Sequence, residues 1–264
     1  MTNTISTSTQ ALPLVLKMGG RLLQSEQALA DLLAVVAQIA KARPVILVHG
    51  GGDQVDRWLD TFGFVTEKID GQRVSPAEQM PVIVGALAGA VNAQMVAAAQ
   101  LQGLNAVGLT LAAGRSLAFE KHASLGNVGI ARPLDATLIK QLLAADFVPV
   151  FSSIGQSAQG DLLNVNADLA AAAICQLVQG ELVLLTDVPG ILDGQGQRIA
   201  HLTPAQAQQL VADGVIKGGM KVKLDAALET AAALRRSIVV AGWQQPQDLL
   251  ALMQQQDVGT CIHN

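Results

Sequence analysis

One pattern recurs along most of this chain: a short apolar run, a break at glycine or proline, then a segment with helical spacing. The apolar runs lie at residues 12–18, 45–48, 106–111, 147–151, 182–185, 238–241 and 259–262, with little polar alternation in any of them. Strands of that kind are covered on both faces, which is the situation of a parallel sheet. The helical segments fall between them, at 24–42, 53–62, 76–101, 136–145, 166–178, 204–212, 219–234 and 246–253. Strands alternating with helices imply an α/β fold with a largely parallel sheet. Residues 68–74 are expected to form a hairpin, and small strands are expected around 117–119 and 128–130. Ser75-Pro76-Ala77-Glu78 has the form of a helix start, with Ser as N-cap and Glu three residues on. No composition break or linker divides the 264 residues, so one domain is expected, with any two halves sharing one sheet. The polar first ten residues are expected to be disordered.

Composition excludes several classes. Half of the residues are hydrophobic, too many for a disordered chain. Charged residues are 14%, against about 25% in an average domain, and the formal charge is −4. With no basic excess, no Tyr and 3% aromatics, the chain lacks what a general nucleic-acid binder needs. The apolar run 82–91 is closed by Pro81 and Asn92, short of the roughly 20 residues of a membrane span. MTNTISTSTQ has neither the basic region nor the apolar core of a signal peptide. Cys175 and Cys261 are too few for a disulfide framework or a zinc site, and are expected to be buried, reduced thiols of a cytoplasmic protein.

Five segments carry chemistry. Lys17-Met18-Gly19-Gly20 and His49-Gly50-Gly51-Gly52 each close a strand and precede a helix. Glycines there let backbone N–H groups approach a ligand, and the helix start adds about half a positive charge. Two such junctions make an anion cradle suited to phosphate or carboxylate. Neither fits GxGxxG or the P-loop spacing. His49-Gly-Gly-Gly also has the form of a lipase oxyanion loop, but that chemistry needs a Gly-x-Ser-x-Gly elbow, and Gly114-Arg115-Ser116-Leu117-Ala118 fails it. In Asn164-Val165-Asn166-Ala167-Asp168, Asn166 suits a helix N-cap and Asp168 a first turn; a functional alternative is that Asn164 meets an anion and Asp168 orients cations. Thr186-Asp187-Val188-Pro189-Gly190-Ile191-Leu192 leaves a strand at its carboxyl end, where α/β proteins hold ligands. Lys217-Gly218-Gly219-Met220-Lys221-Val222-Lys223 gathers three of eight lysines in front of a helix. Lysines oppose the helix dipole there unless phosphate is present.

Together with Gly71-x-Arg73-Val74, these motifs resemble the amino acid kinase family, in the family's order, from about residue 14 to the C-terminus. Within that family the likeness is closest to members acting on N-acetyl-L-glutamate. The resemblance implies a three-layer αβα sandwich around a mostly parallel, about eight-stranded sheet. It implies an N-terminal lobe, about 11–165, for the amino acid and a C-terminal lobe, about 166–264, for the nucleotide. The implied reaction moves the γ-phosphoryl of ATP, bound with Mg²⁺, to a side-chain carboxylate, giving an acyl phosphate in arginine biosynthesis. Lys17 and Lys223 would neutralise the moving phosphoryl and Asp168 would fix both. Gly51, Gly52, Arg73 and Asn164 would hold the amino acid. Gly19, Gly20, Asp187, Val188, Pro189, Gly190, Ile191, Leu192, Val215, Ile216 and Lys217 would hold the nucleotide. Lys221 departs from the family pattern, with either phosphate or solvent as its partner. The short N-terminal extension lacks the long helix of arginine-inhibited hexamers, so an arginine-insensitive homodimer is expected, formed through the helix at 76–101 with its small residues Gly85, Ala88 and Gly89. The alternatives are another kinase of this fold, acting on glutamate, aspartate, carbamate or UMP, and a non-catalytic domain sensing arginine or nucleotide.

Overall fold

A computed structural model describes residues 11–264; the first ten lie outside the described residues, and with them the expectation of disorder there. Strand β1 (Leu14–Met18) leads through a short 3-10 turn to helix α1 (Glu26–Ala40), and β2 (Val45–His49) to α2 (Gly52–Thr61). The hairpin β3 (Lys68–Ile69) and β4 (Gln72–Arg73) follows. A continuous helix, Ala77–Leu101, contains α3 (Met80–Val84), a π-helical stretch (Gly85–Val91) and α4 (Asn92–Leu101). Then come β5 (Ala106–Thr110), β6 (Leu117–Lys121), β7 (Val128–Pro133), α5 (Thr137–Ala144), β8 (Val148–Ser152), β9 (Ile154–Gln156) and β10 (Leu162–Val165). The last part holds α6 (Ala167–Val178), β11 (Glu181–Thr186), β12 (His201–Leu202), α7 (Pro204–Ala212), α8 (Gly218–Leu234), β13 (Ile238–Gly242), α9 (Asp248–Met253) and β14 (Thr260–Ile262).

The central sheet has eight strands in the order β12-β14-β13-β11-β1-β2-β8-β5, and every pairing is parallel except β13 with β14. The two halves of the chain meet where β1 pairs with β11, at the middle of the sheet. Alternation along β1 divides the core. Leu14, Leu16 and Met18 face one layer with α1 and α4; Val15 faces the other with α6 and α8. Lys17 continues the Val15 face, which decides where its ammonium goes. A second sheet, β6-β7-β10-β9, lies beside α6.

Four expectations change. Ser75 makes no helix cap: the helix starts after Pro76 without a side-chain cap, and the Ser75 hydroxyl accepts from Asn164 Nδ2 at 3.0 Å. Strands β9, β10 and β12 were invisible because they are short and mix polar with apolar residues. The helix reaches Leu101 as expected, but taken as a whole, rather than as the run 82–91, it would by length and hydropathy alone suffice to cross a membrane. In this fold its Val91, Met95 and Ala99 are buried in the core beside the sheet, and Asn92 is buried with hydrogen bonds. Cys175 is buried as expected, but Cys261 is half-buried.

Candidate active site

Three elements bring three charges together. Lys17 stands one residue before the end of β1. Asp168 sits in the first turn of α6, whose N-cap Asn166 accepts from the backbone N–H of Asp168 (2.9 Å) and Leu169 (3.3 Å). Lys223 lies in the second turn of α8, which packs on α6. Asp168 Oδ1 accepts from Lys223 Nζ at 2.8 Å and lies 3.2 Å from Lys17 Nζ, with all three side chains about one-tenth exposed. Burial alone would raise the Asp168 carboxyl, but the two ammonium charges and their hydrogen bonds hold it below the ordinary range. Burial lowers Lys223; the attraction of Asp168 opposes this and the repulsion of Lys17 adds to it, leaving Lys223 below an ordinary lysine.

Lys17 and Asp168 line a cavity of about 240 Å³ that also takes in residues 50–52, Arg73 and Asn164, and Lys223 reaches its edge only through its bond to Asp168. Helix starts converge on it. Gly50 lies against Ala167, so the beginnings of α2 and α6 adjoin, and Gly71 on the hairpin approaches the backbone of Gly218 and Gly219 at the start of α8. Gly51, the N-cap of α2, has φ 152° and a Cβ there would stand 2.9 Å from Leu87 Cδ2, so only glycine fits. The chemistry of this arrangement suits an anion: the Lys17 ammonium with Lys223 close by on Asp168, glycines in the wall and positive helix ends.

Arg73 Nη1 pairs with Asp56 Oδ1 (2.6 Å), and Nη2 donates to the Gly52 carbonyl (3.1 Å). Its guanidinium is therefore locked in the wall, with Lys68 also on Asp56 at 3.0 Å. Burial raises the Asp56 carboxyl, but hydrogen bonds from Arg73 and Lys68 and their charges bring it below its ordinary value.

Gly19 and Gly20 line the same cavity, and a Cβ on Gly20 would come within 3.0 Å of Asp187 Oδ2. Asp187 accepts from Trp243 Nε1 at 2.7 Å and stands 3.6 Å from Arg21 Nε. Beyond it, Val188 and Leu192 are half-buried and Pro189 is exposed, while Gly190 and Ile191 are sealed in. The Ile191 N–H donates to Thr260 Oγ1 at 2.8 Å. Val215 and Lys217 are exposed and Ile216 is buried in the core. Val215 comes near Gly194, two residues past Leu192: a Cβ there would stand 3.7 Å from Val215 Cγ2. The side chains of Ile191 and Ile216 face the core, and a ligand could reach those two positions only through backbone.

The sequence pattern of the Amino acid kinase family matches residues 13–242. The chain belongs to the amino acid kinase family. It is 48% identical over 265 residues to an acetylglutamate kinase of Shewanella halifaxensis, covering 99% of this chain and 98% of the relative. It is 49% identical over 251 residues to an acetylglutamate kinase of Colwellia psychrerythraea, covering 95% and 96%. Among solved structures, smu.665 from Streptococcus mutans UA159 superposes with a TM-score of 0.83 at 25% identity, covering 95% of this chain and 98% of that one.

In this amino acid kinase the lysine cluster divides. Lys223 is buried on Asp168, whereas Lys221 makes an exposed pair with Asp225 at 2.6 Å and Lys217 is exposed at the N-cap of α8. Lys221 therefore faces solvent. Asp56, Ser75 and Trp243 were missed by the motifs, because each acts on a site residue distant in sequence. Buried His49 was seen only as part of a motif. Its Nδ1 donates to the Gly50 carbonyl (2.8 Å) and its Nε2 accepts from Asn92 Nδ2 (2.9 Å). Burial pushes it down to about 4, against the opposing hydrogen bond to Gly50, so it is a neutral prop of the glycine loop.

Proposed function

We propose that this amino acid kinase transfers the γ-phosphoryl of ATP to the side-chain carboxylate of N-acetyl-L-glutamate, forming N-acetylglutamyl 5-phosphate for arginine biosynthesis. The observation that carries the reading is Asp168 bridging Lys17 and Lys223 beneath the glycine loops. A carboxylate is already nucleophilic and needs no general base. Its difficulty is the approach of one anion to another, and cations fixed in advance remove that repulsion. In this reading one carboxylate oxygen attacks phosphorus, the bond to the bridging oxygen breaks, and ADP leaves with the electron pair. Lys17 and Lys223 neutralise the equatorial oxygens, and the Gly20 and Gly51 amides donate to them. Asp168 keeps the lysines in place through charge-assisted bonds.

The amino acid would lie against Gly51, Gly52, Arg73 and Asn164 in the N-terminal lobe. Arg73, aimed by Asp56 and Gly52, would hold the α-carboxylate. The nucleotide would lie on the C-terminal lobe along Asp187, Val188, Pro189 and Leu192, with Val215 and Lys217 across from them. Asp168 is committed to two lysines, so the cavity suits Mg²⁺ carried in on the phosphates with water completing its shell.

A homodimer belongs to the same proposal. Pro81, Gly89, Ala93, Ala97 and Leu101 are exposed at four-residue intervals along the long helix, an apolar stripe for a second copy. Gly85 stands in that spacing but packs on Trp58. A cytoplasmic setting is in keeping with the two free thiols.

The test is a hydroxylamine trap for acyl phosphate, with Mg-ATP and a panel of N-acetylglutamate, glutamate, aspartate and carbamate. Hydroxamate from N-acetylglutamate alone is expected. Preference for another member of the panel would overturn the substrate assignment.

A further inference from the structure

At the outer edge of the eight-stranded sheet, β12 and β14 run in parallel with His201 opposite Cys261. Partners in register share a face. His263 lies two residues beyond Cys261, and the two-residue period of a strand returns it to that face. Its N–H continues the ladder to the Leu202 carbonyl at 2.9 Å. One ligand atom from each of His201, Cys261 and His263 lies within 4.8 Å of the others.

The imidazoles are already placed for a shared ion. His201 Nδ1 and His263 Nε2 are 3.2 Å apart, and the ring centroids 5.3 Å. Two imidazoles on one tetrahedral zinc hold their nitrogens about 3.3 Å apart and their ring centres about 5.2 Å apart, from bonds of about 2.05 Å. The far side of His263 is also fixed: its Nδ1 is 3.1 Å from Ser237 Oγ. With the proton on Nδ1 and donated to Ser237, Nε2 turns a lone pair inward. An outer partner of that kind sets the tautomer of a metal-binding histidine.

We propose that His201, Cys261 and His263 form a binding site for a borderline-soft divalent transition metal, Zn²⁺ above all, with water in the fourth position. Two imidazoles and a thiolate select such an ion over Mg²⁺. Without the ion, His201 Nδ1 carries the proton and donates it to His263 Nε2. On binding, His201 moves that proton to Nε2, Cys261 loses its thiol proton, and one proton is released per ion. Cys261 adjoins Thr260, which holds the Ile191 N–H and, at 2.6 Å, the Ile199 carbonyl. An ion here therefore clamps the strand pair that anchors both ends of residues 191–200. Counting cysteines alone could not show this site, because two of its three ligands are histidines brought in by strand pairing.

The experiment uses the full chain without an affinity tag, freed of metal by a chelator. Co²⁺ is the spectroscopic probe, and Zn²⁺ affinity is read by competition with a chromogenic chelator. One ion per chain is expected, with ligand-field bands of tetrahedral Co²⁺ and a thiolate-to-cobalt band. Cys175 is buried, its thiol pushed up to about 12 by burial, so the thiolate band reports Cys261. Cys261→Ser should abolish that band, and His201→Ala and His263→Ala should each weaken Zn²⁺ binding by more than tenfold. Ser237→Ala should weaken it about 10- to 100-fold, while His122→Ala should leave it unchanged. Circular dichroism and metal-free unfolding of the variants separate lost ligands from lost folding. No binding, a cobalt spectrum without the thiolate band, or Zn²⁺ affinity in Cys261→Ser and His263→Ala equal to that of the unchanged protein would each overturn the proposal.

Discussion

Asp168→Asn is the substitution that most directly tests how the site is built. It preserves volume and removes the one charge that lets two lysines share a buried space. Both ammonium nitrogens lie close to a single carboxylate oxygen, at 3.2 and 2.8 Å, so they are no more than about 6 Å apart. At an effective dielectric constant of about 20, two unit charges at that distance repel by about 3 kcal/mol. That equals about two pKa units. Loss of one partner from a buried pair costs about 3–5 kcal/mol for the same reason. The free variant is expected to lose about 3 kcal/mol of unfolding free energy, measured by urea denaturation and circular dichroism. Part of the strain is relieved by proton loss from Lys223, already held below an ordinary lysine.

Catalysis should suffer more than folding. Misplaced or discharged lysines no longer cancel charge on the phosphoryl, and single contacts of this type contribute about two to three orders of magnitude in turnover elsewhere. The triphosphate itself restores negative charge, so Mg-ATP should raise the melting temperature of the variant more than that of the unchanged protein. A variant with unaltered urea midpoint and turnover within tenfold of normal would refute the reasoning. Equal stabilisation of both proteins by Mg-ATP would refute the electrostatic part of it.

Three further outcomes follow from the same geometry. Lys223 must be protonated to act, so kcat/KM should fall on an alkaline limb below pH 10.5, and Lys223→Arg should move that limb upward; an unmoved limb removes Lys223 from the profile. His49 is held at about 4 in the fold against about 6.5 when unfolded, so the unfolded chain takes up the proton first as pH falls. Stability should drop between about pH 6.5 and 4, by up to about 3 kcal/mol, and His49→Gln should lack that component; the same acid slope in both proteins counts against it. Arg73→Lys should chiefly raise the KM for the amino acid, and Asp56→Asn should do so more weakly by releasing Arg73; an unchanged KM in both takes Arg73 out of the substrate site.

Much of the fold was legible because strand, glycine and helix follow one another so regularly. Which face of β1 carries Lys17 came only with the fold, where alternation puts it on the side of Val15. Asn166 and Asp168 show that structural and functional readings of a segment can both hold: one caps α6 while the other's carboxylate holds two lysines. The lysine cluster was legible as a cluster but not in its division. Residues two apart on a helix point about 200° from each other, so Lys223 turns inward while Lys221 meets Asp225. Asp56, Ser75 and Trp243 left no local signal, since each matters only through a partner across a hairpin or a sheet.

The buried network under the glycine loop gathers three separate oddities of the sequence under one cause. Asn92 interrupts the most apolar stretch of the chain, and sequence reasoning took it as the end of a run. In the fold its Nδ2 donates to His49 Nε2 at 2.9 Å and to the Val150 carbonyl at 3.0 Å. An amide in that position is costly to bury unless paired, and here the partners lie on neighbouring strands, His49 at the end of β2 and Val150 in the middle of β8. Gly108 on β5 has no other evident reason to interrupt a strand, yet a Cβ there would collide with the Asn92 carboxamide. His49, in turn, has its other nitrogen on the Gly50 carbonyl. The polar break in the helix, the glycine in the strand and the histidine before the glycines thus form one prop, and what it orients is the loop whose amides face the cavity. No single segment could disclose that, because the prop exists only after β2, β5 and β8 and the long helix have packed together.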